Sequence, residues 1–134
     1  MSFTLYCATQ RGDTRNTLYP HRRVVTSFSD LQTAARFDHV AAEFEGSRRS
    51  LDGFKLADCI VLDVDNDHGQ IVQPEQIAKD FPGVAHMVIF SRHHMQPKGS
   101  SDPVPRFQCY FPVAPTAARA ELEQLKRNVC SAFS

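Results

Sequence analysis

The 134-residue sequence lacks any excess of charge: 15 Lys and Arg offset 15 Asp and Glu. A strongly basic surface, the usual mark of indiscriminate nucleic-acid binding, is therefore excluded, and any polynucleotide contact has to come from a local patch. The four cysteines, Cys7, Cys59, Cys109 and Cys130, lack the CxxC or Cys/His spacing of a zinc site and the density of a disulfide framework, so free thiols are expected. No basic stretch followed by a long apolar one opens the chain, and no apolar run nears the roughly 20 residues that span a bilayer. Membrane partners are not expected, and a cytoplasmic location is. Internal repeats and low-complexity tracts are also missing.

What is present suits one globular domain over residues 1–134: 42% hydrophobic residues, 22% charged, and an aromatic complement of ten Phe and three Tyr to fill a core. Strands are expected over Phe3–Ala8, Arg22–Thr26, His39–Phe44, Cys59–Leu62, Val84–Phe90 and Arg106–Val113, from their branched, aromatic or alternating residues. Helices are expected over Leu31–Phe37, with Ser29 or Asp30 as N-cap, over Pro74–Phe81, with proline in the first turn, and over Thr116–Ala132, with Leu122, Leu125 and Val129 on one face. Polar loops fill Arg11–Tyr19, Glu45–Gly53 and Gln96–Pro105. This order predicts an α+β or α/β fold with a largely antiparallel or mixed sheet.

The chemistry is concentrated where the apolar run Cys59–Leu62 meets Asp63, Asp65 and Asp67. If the strand continues through Asp65, its period of two puts Asp63 and Asp65 on one face and Val64 on the other. Like charges this close call for a cation between them, so a Mg²⁺ or Mn²⁺ site follows, of the kind that bridges phosphate oxygens. Rival readings are a solvated acidic turn, an EF-hand and a haloacid-dehalogenase-type phosphatase. The EF-hand fails because its sixth position is His68 rather than glycine, its twelfth is Pro74, and a strand precedes it. The phosphatase lacks the small hydroxyl residue expected after its Asp-x-Asp.

A second strand delivers Ser91, Arg92, His93 and His94 together, a hydroxyl, a guanidinium and two imidazoles able to hold phosphate. Adjacent side chains on a strand face opposite ways, which argues against a joint zinc site and turns one histidine away. Arg48 and Arg49 precede the acidic strand and are candidates for phosphate or template contact, with a merely solvated pair as the alternative. Lys98, Arg106, Lys126 and Arg127 read as ordinary surface charges.

Taken in order, Phe37-Asp38-His39-Val40 with Ala42-Glu43, Arg49-Ser50, Asp58 to His68, Gln73-Pro74-Glu75, Phe81 to Val84, Ser91 to Met95, Pro97-Lys98 and Phe107 to Pro112 carry a resemblance over nearly the whole chain. The chain resembles the N-terminal part of primase-polymerases of the archaeo-eukaryotic primase superfamily, especially those of bacterial mobile elements and phages. The resemblance implies a catalytic core whose second part is similar to an RNA-recognition-motif sheet, and templated nucleotidyl transfer from NTPs or dNTPs on a single-stranded DNA template. By it Asp63 and Asp65 match the metal-binding Asp-x-Asp motif for Mg²⁺ or Mn²⁺. Ser91 and His94 match the nucleotide-binding motif, with Arg92 and Arg49 as further nucleotide contacts. The superfamily's third carboxylate has no match, because the acids after Pro112 are Glu121 and Glu123 on the expected last helix. A truncated enzyme completed by further primase sequence or a helicase partner, or a non-catalytic module binding nucleotide or single strands, are the resulting expectations. An unrelated metal-dependent phosphohydrolase or nuclease is the third.

Overall fold

The computed structural model describes residues 1–66, 71–92, 94–96 and 103–132. Its first strands, β1 (Phe3–Cys7) and β2 (His21–Val25), pair antiparallel from Phe3 opposite Val25 to Cys7 opposite His21. Helix α1 (Phe28–Ala34) follows and presses Leu31 and Ala34 against β1. Its N-cap is Ser27, whose hydroxyl accepts from the Asp30 N–H at 3.1 Å, so Ser29 and Asp30 lie inside the first turn rather than capping it. The earlier start is reinforced by Asp30, whose carboxylate accepts from the N–H and the hydroxyl of Thr26. Those bonds hold the Asp30 carboxyl below the usual range.

The strand expected over His39–Phe44 breaks at Ala41. Its first half, β3 (His39–Val40), pairs with β1, and its second half, β4 (Ala42–Phe44), pairs with β5 (Phe54–Val64) in a different sheet. One short segment thus stitches two sheets together. After helix α2 (Pro74–Asp80) come β6 (Met87–Phe90), shorter than the Val84–Phe90 expected, and β7 (Phe107–Thr116), which runs past Val113. Helix α3 (Arg119–Ser131) ends the described fold.

The sheets are β2-β1-β3 and β4-β5-β7-β6, with every pairing antiparallel, so the class is α+β. The order β5-α2-β6-β7-α3, with β7 between β5 and β6, is a βαββα arrangement. Eleven residues long, β5 is buried on both faces, which explains its apolar centre. Cys59 joins Phe3, Leu5, Leu31 and Tyr110 in a core under the smaller sheet, with Val61 packed against it, while Ile60 joins Ile77, Phe107, Phe111 and Leu122 under α2 and α3. Burying a Phe or Leu side chain contributes about 1.5–3 kcal/mol, so these two clusters supply the main adhesion between layers. No described helix is long and apolar enough to cross a membrane.

Candidate functional site

Strand β5 ends at Val64, so it carries Asp63 alone of the acidic segment, and the expected continuation through Asp65 is not met. Cys59 and Val61 face the smaller sheet and Asp63 continues that face beyond the core, while Leu62 and Val64 pack toward the helices and Asp65 follows the strand. Both carboxylates line a cleft of about 1060 Å³ at the end of the inter-sheet core. Asp63 is exposed and pairs in register with Gln108 of β7, which pairs with Ile89 of β6. Ser91, the next cleft-facing position on that side, is tied in by its N–H donating to the Arg106 carbonyl at 2.9 Å.

Two residues that read as unremarkable in the sequence fix the end of β5. Arg106, expected on the surface, is 1% exposed, and its guanidinium donates to the Asp65 carbonyl at 2.6 Å. Asn66 adopts φ +54°, a left-handed conformation that asparagine tolerates better than most residues. Its side-chain amide donates to the carbonyls of Val72 and Pro105 at 2.9 and 2.7 Å, and its Oδ1 accepts from the Val72 N–H at 2.8 Å. The chain therefore leaves β5 through a bolted corner, with Asp65 immediately before it.

A further part of the lining comes from the loop after β1. Asp38 accepts from the N–H groups of Gly12 and Asp13 at 2.9 and 3.0 Å, and its own N–H and carbonyl bond Gln10 and Ala8. Gly12, at φ +84°, permits the turn that this grip demands. The loop so held brings Arg11 to the cleft, and α1 and the turn after it bring Arg36. Arg49 enters from the segment after β4, where its N–H donates to the Thr17 carbonyl and the neighbouring Arg48 side chain donates to the Thr17 hydroxyl. The adjacent arginines thus divide: Arg48 braces a loop, and Arg49 lines the cleft.

Of the residues singled out in the sequence, Asp63, Asp65, Ser91, Arg92 and Arg49 share this cleft. His94 is not among the residues lining it. Its ring stacks on Phe90, with centroids 4.0 Å apart, and its Nδ1 accepts from the Arg106 N–H at 3.2 Å. A neutral ring held this way carries its proton on Nε2, which leaves one N–H donor beside the cleft-lining Phe90. Asp67, His68, His93 and Lys98 lie outside the described residues. Lys126 lines a second cavity of about 370 Å³ that shares His39, Arg49, Asp63 and Gln108 with the first.

The cleft opposes charges. Arg11, Arg36, Arg49 and Arg92 enter no ion pair among the described residues, and they line the cleft together with Asp63 and Asp65. Hard oxygen donors at Asp63 and Asp65 fit a divalent cation of the Mg²⁺ or Mn²⁺ type, with the remaining coordination left to water and ligand. No group of three or more His, Cys, Asp or Glu suited to a metal occurs among the described residues. The chain matches no protein-family model, no curated protein and no solved structure.

Proposed function

We propose that the cleft binds a nucleoside triphosphate with a divalent cation, in a template-directed nucleotidyl-transfer domain of the primase-polymerase type. The observation that carries this reading is the presence, in one cleft, of two carboxylates, Asp63 at the end of β5 and Asp65 just after it, with four arginines that enter no ion pair among the described residues. A triphosphate carries its own negative charge into such a site and needs both elements: guanidinium forks for its outer oxygens and a cation to join it to carboxylates.

In this reading Asp63 and Asp65 hold the cation and keep it at the end of β5. A bound Mg²⁺ or Mn²⁺ would offset charge on the reacting phosphate and make a 3′-hydroxyl more acidic. Arg49 and Arg92 bind the phosphate oxygens, the Ser91 hydroxyl donates a further hydrogen bond, and His94 contributes its Nε2–H at the rim. A single-stranded DNA template, a helicase and further primase sequence are the partners that this function calls for.

A non-catalytic nucleotide-binding module is the second reading, favoured by the lack of a third metal-binding acid beside Asp63 and Asp65 among the described residues. Calorimetry of NTP and dNTP binding with Mn²⁺ tests the common core of both. Metal-dependent binding that is lost in Asp63→Ala/Asp65→Ala supports the site, and primer synthesis on a single-stranded template then separates catalysis from binding. Absence of nucleotide binding by folded protein under every metal condition sinks the proposal. Metal-dependent hydrolysis of a plain phosphodiester, with no NTP requirement, would replace it with a nuclease or phosphohydrolase.

A further inference from the structure

A chain of hydrogen bonds runs from the seam between the sheets to the cleft. His39, on β3, has its Nδ1 2.9 Å from the Phe37 carbonyl and its Nε2 2.7 Å from the Tyr110 hydroxyl, which lies 2.8 Å from the side-chain amide of Gln108. A carbonyl only accepts, so Nδ1 carries a proton. Burial between the sheets lowers the His39 pKa, against smaller opposing effects of the hydrogen bond to the Phe37 carbonyl and of Asp38, and so favours the neutral ring.

In a neutral ring protonated at Nδ1, Nε2 is a bare acceptor, so the single proton of the Tyr110 hydroxyl goes to His39. The hydroxyl oxygen then needs a donor from Gln108, and that is the amide nitrogen. Oε1, which stands at 2.8 Å from the hydroxyl, would belong there only if His39 were an imidazolium. With the nitrogen facing Tyr110, the carbonyl oxygen of Gln108 faces away from it. Gln108 lines the same cleft as Asp63 and stands opposite Asp63 in the β5–β7 register, where facing side chains begin about 5 Å apart.

We infer that Gln108 offers its side-chain carbonyl as a neutral oxygen donor to the divalent cation held at Asp63, and that His39 and Tyr110 are the positioning residues that fix this orientation. The inference rests on the proposed nucleotide site and adds to it a ligand that the sequence motifs do not contain. An amide carbonyl suits a hard cation without adding a third charge beside Asp63 and Asp65.

The test is Mn²⁺ binding, followed by electron paramagnetic resonance, in the wild type and in Gln108→Leu, Gln108→Glu, Tyr110→Phe and Asp63→Asn. It is accompanied by ¹⁵N NMR of the His39 ring. Tyr110→Phe keeps the ring that stacks on Phe3 and removes only the hydroxyl, so folding is expected to survive and is checked by circular dichroism. The expected result is about tenfold weaker Mn²⁺ binding in both Gln108→Leu and Tyr110→Phe, the scale of loss typical when the support of a metal ligand is removed. Gln108→Glu restores or tightens binding, and the NMR shows His39 protonated at Nδ1. A merely structural role for Tyr110 would lower stability and leave Mn²⁺ affinity in place. Affinity unchanged in Gln108→Leu but lost in Asp63→Asn overturns the inference and spares the nucleotide site. Wild type that binds no Mn²⁺, with or without NTP, overturns both. A ring protonated at Nε2 alone reverses the hydrogen-bond chain and overturns the orientation argument by itself.

Discussion

Replacing Asn66 is the sharpest probe of how the acidic strand end is held. Its side chain makes three hydrogen bonds, two to Val72 and one to Pro105, in a partly buried corner. Each such bond contributes about 1 kcal/mol net, so their loss in Asn66→Ala costs about 3 kcal/mol. Alanine at φ +54° adds about 1 kcal/mol of backbone strain, for a total near 4 kcal/mol. Asn66→Gly loses the same bonds without the strain and is expected to be milder by about 1 kcal/mol. Asn66→Asp keeps the acceptor for the Val72 N–H but sets an anion against the Val72 and Pro105 carbonyls, so it is expected to be no better than alanine. Urea unfolding of the four proteins measures these differences, which are a sizeable part of the 5–15 kcal/mol typical of a domain. An alanine loss below about 1 kcal/mol, or glycine as damaging as alanine, would refute the reasoning.

Other outcomes follow from the same contacts. Arg49→Ala and Arg92→Ala should each weaken triphosphate binding by about tenfold while leaving the unfolding midpoint unchanged, since neither side chain is in an ion pair among the described residues and a charge-assisted bond is worth about 1.5–3 kcal/mol; calorimetry at two salt concentrations checks both. His39 has a folded pKa below its unfolded value near 6.5, so the unfolded chain takes up a proton first. Stability should therefore be intact above that value and fall on acidification toward the folded pKa by up to about 1.4 kcal/mol per pH unit, a dependence that His39→Gln should lack in unfolding measured between pH 7 and 5. Cys7, Cys59 and Cys109 are buried and Cys130 is exposed, so mass spectrometry after brief alkylation should find one modified thiol in the native protein and four after unfolding. Burial pushes the Cys109 thiol up to about 12, which further slows its reaction.

The period of two along Cys59–Val64 placed Asp63 on the face of Cys59 and Val61, but the strand ends at Val64, so the same period does not reach Asp65, which enters the cleft from the residue after the strand. The choice between an antiparallel and a mixed sheet was left to the pairing that the structure shows, whereas the α+β class was legible because each strand and helix carries its own pattern of apolar residues. Three features were not. The break at Ala41 depends on which sheet each half of the segment pairs with, and pairing partners leave no local trace. Arg106 looks like any surface arginine until β5 ends above it and supplies the Asp65 carbonyl. Asn66 is unremarkable among its acidic neighbours, because the groups it binds stand six residues on, at Val72, and 39 residues on, at Pro105. Proximity in space, not composition, gave these residues their roles.

The same three features explain why the cleft lies where it does. Ala41 sends β3 to one sheet and β4 to the other, so the sheets are joined at this seam. His39 and Tyr110 occupy the seam, with rings stacked at 6.0 Å, and beyond them the core gives way to Gln108 and Asp63. The carboxylates therefore stand where the core gives way to the open cleft, Asp63 exposed and Asp65 partly buried. Arg106 and Asn66 hold the backbone at Asp65, and Asp38 holds the loop bearing Arg11. A site framed in this way needs little rearrangement to receive an anion, which is why substitutions at Asn66 should weaken ligand binding through Asp65 as well as lower stability. Triphosphate affinity unchanged in a folded Asn66→Gly protein would show that Asp65 keeps its place without the corner.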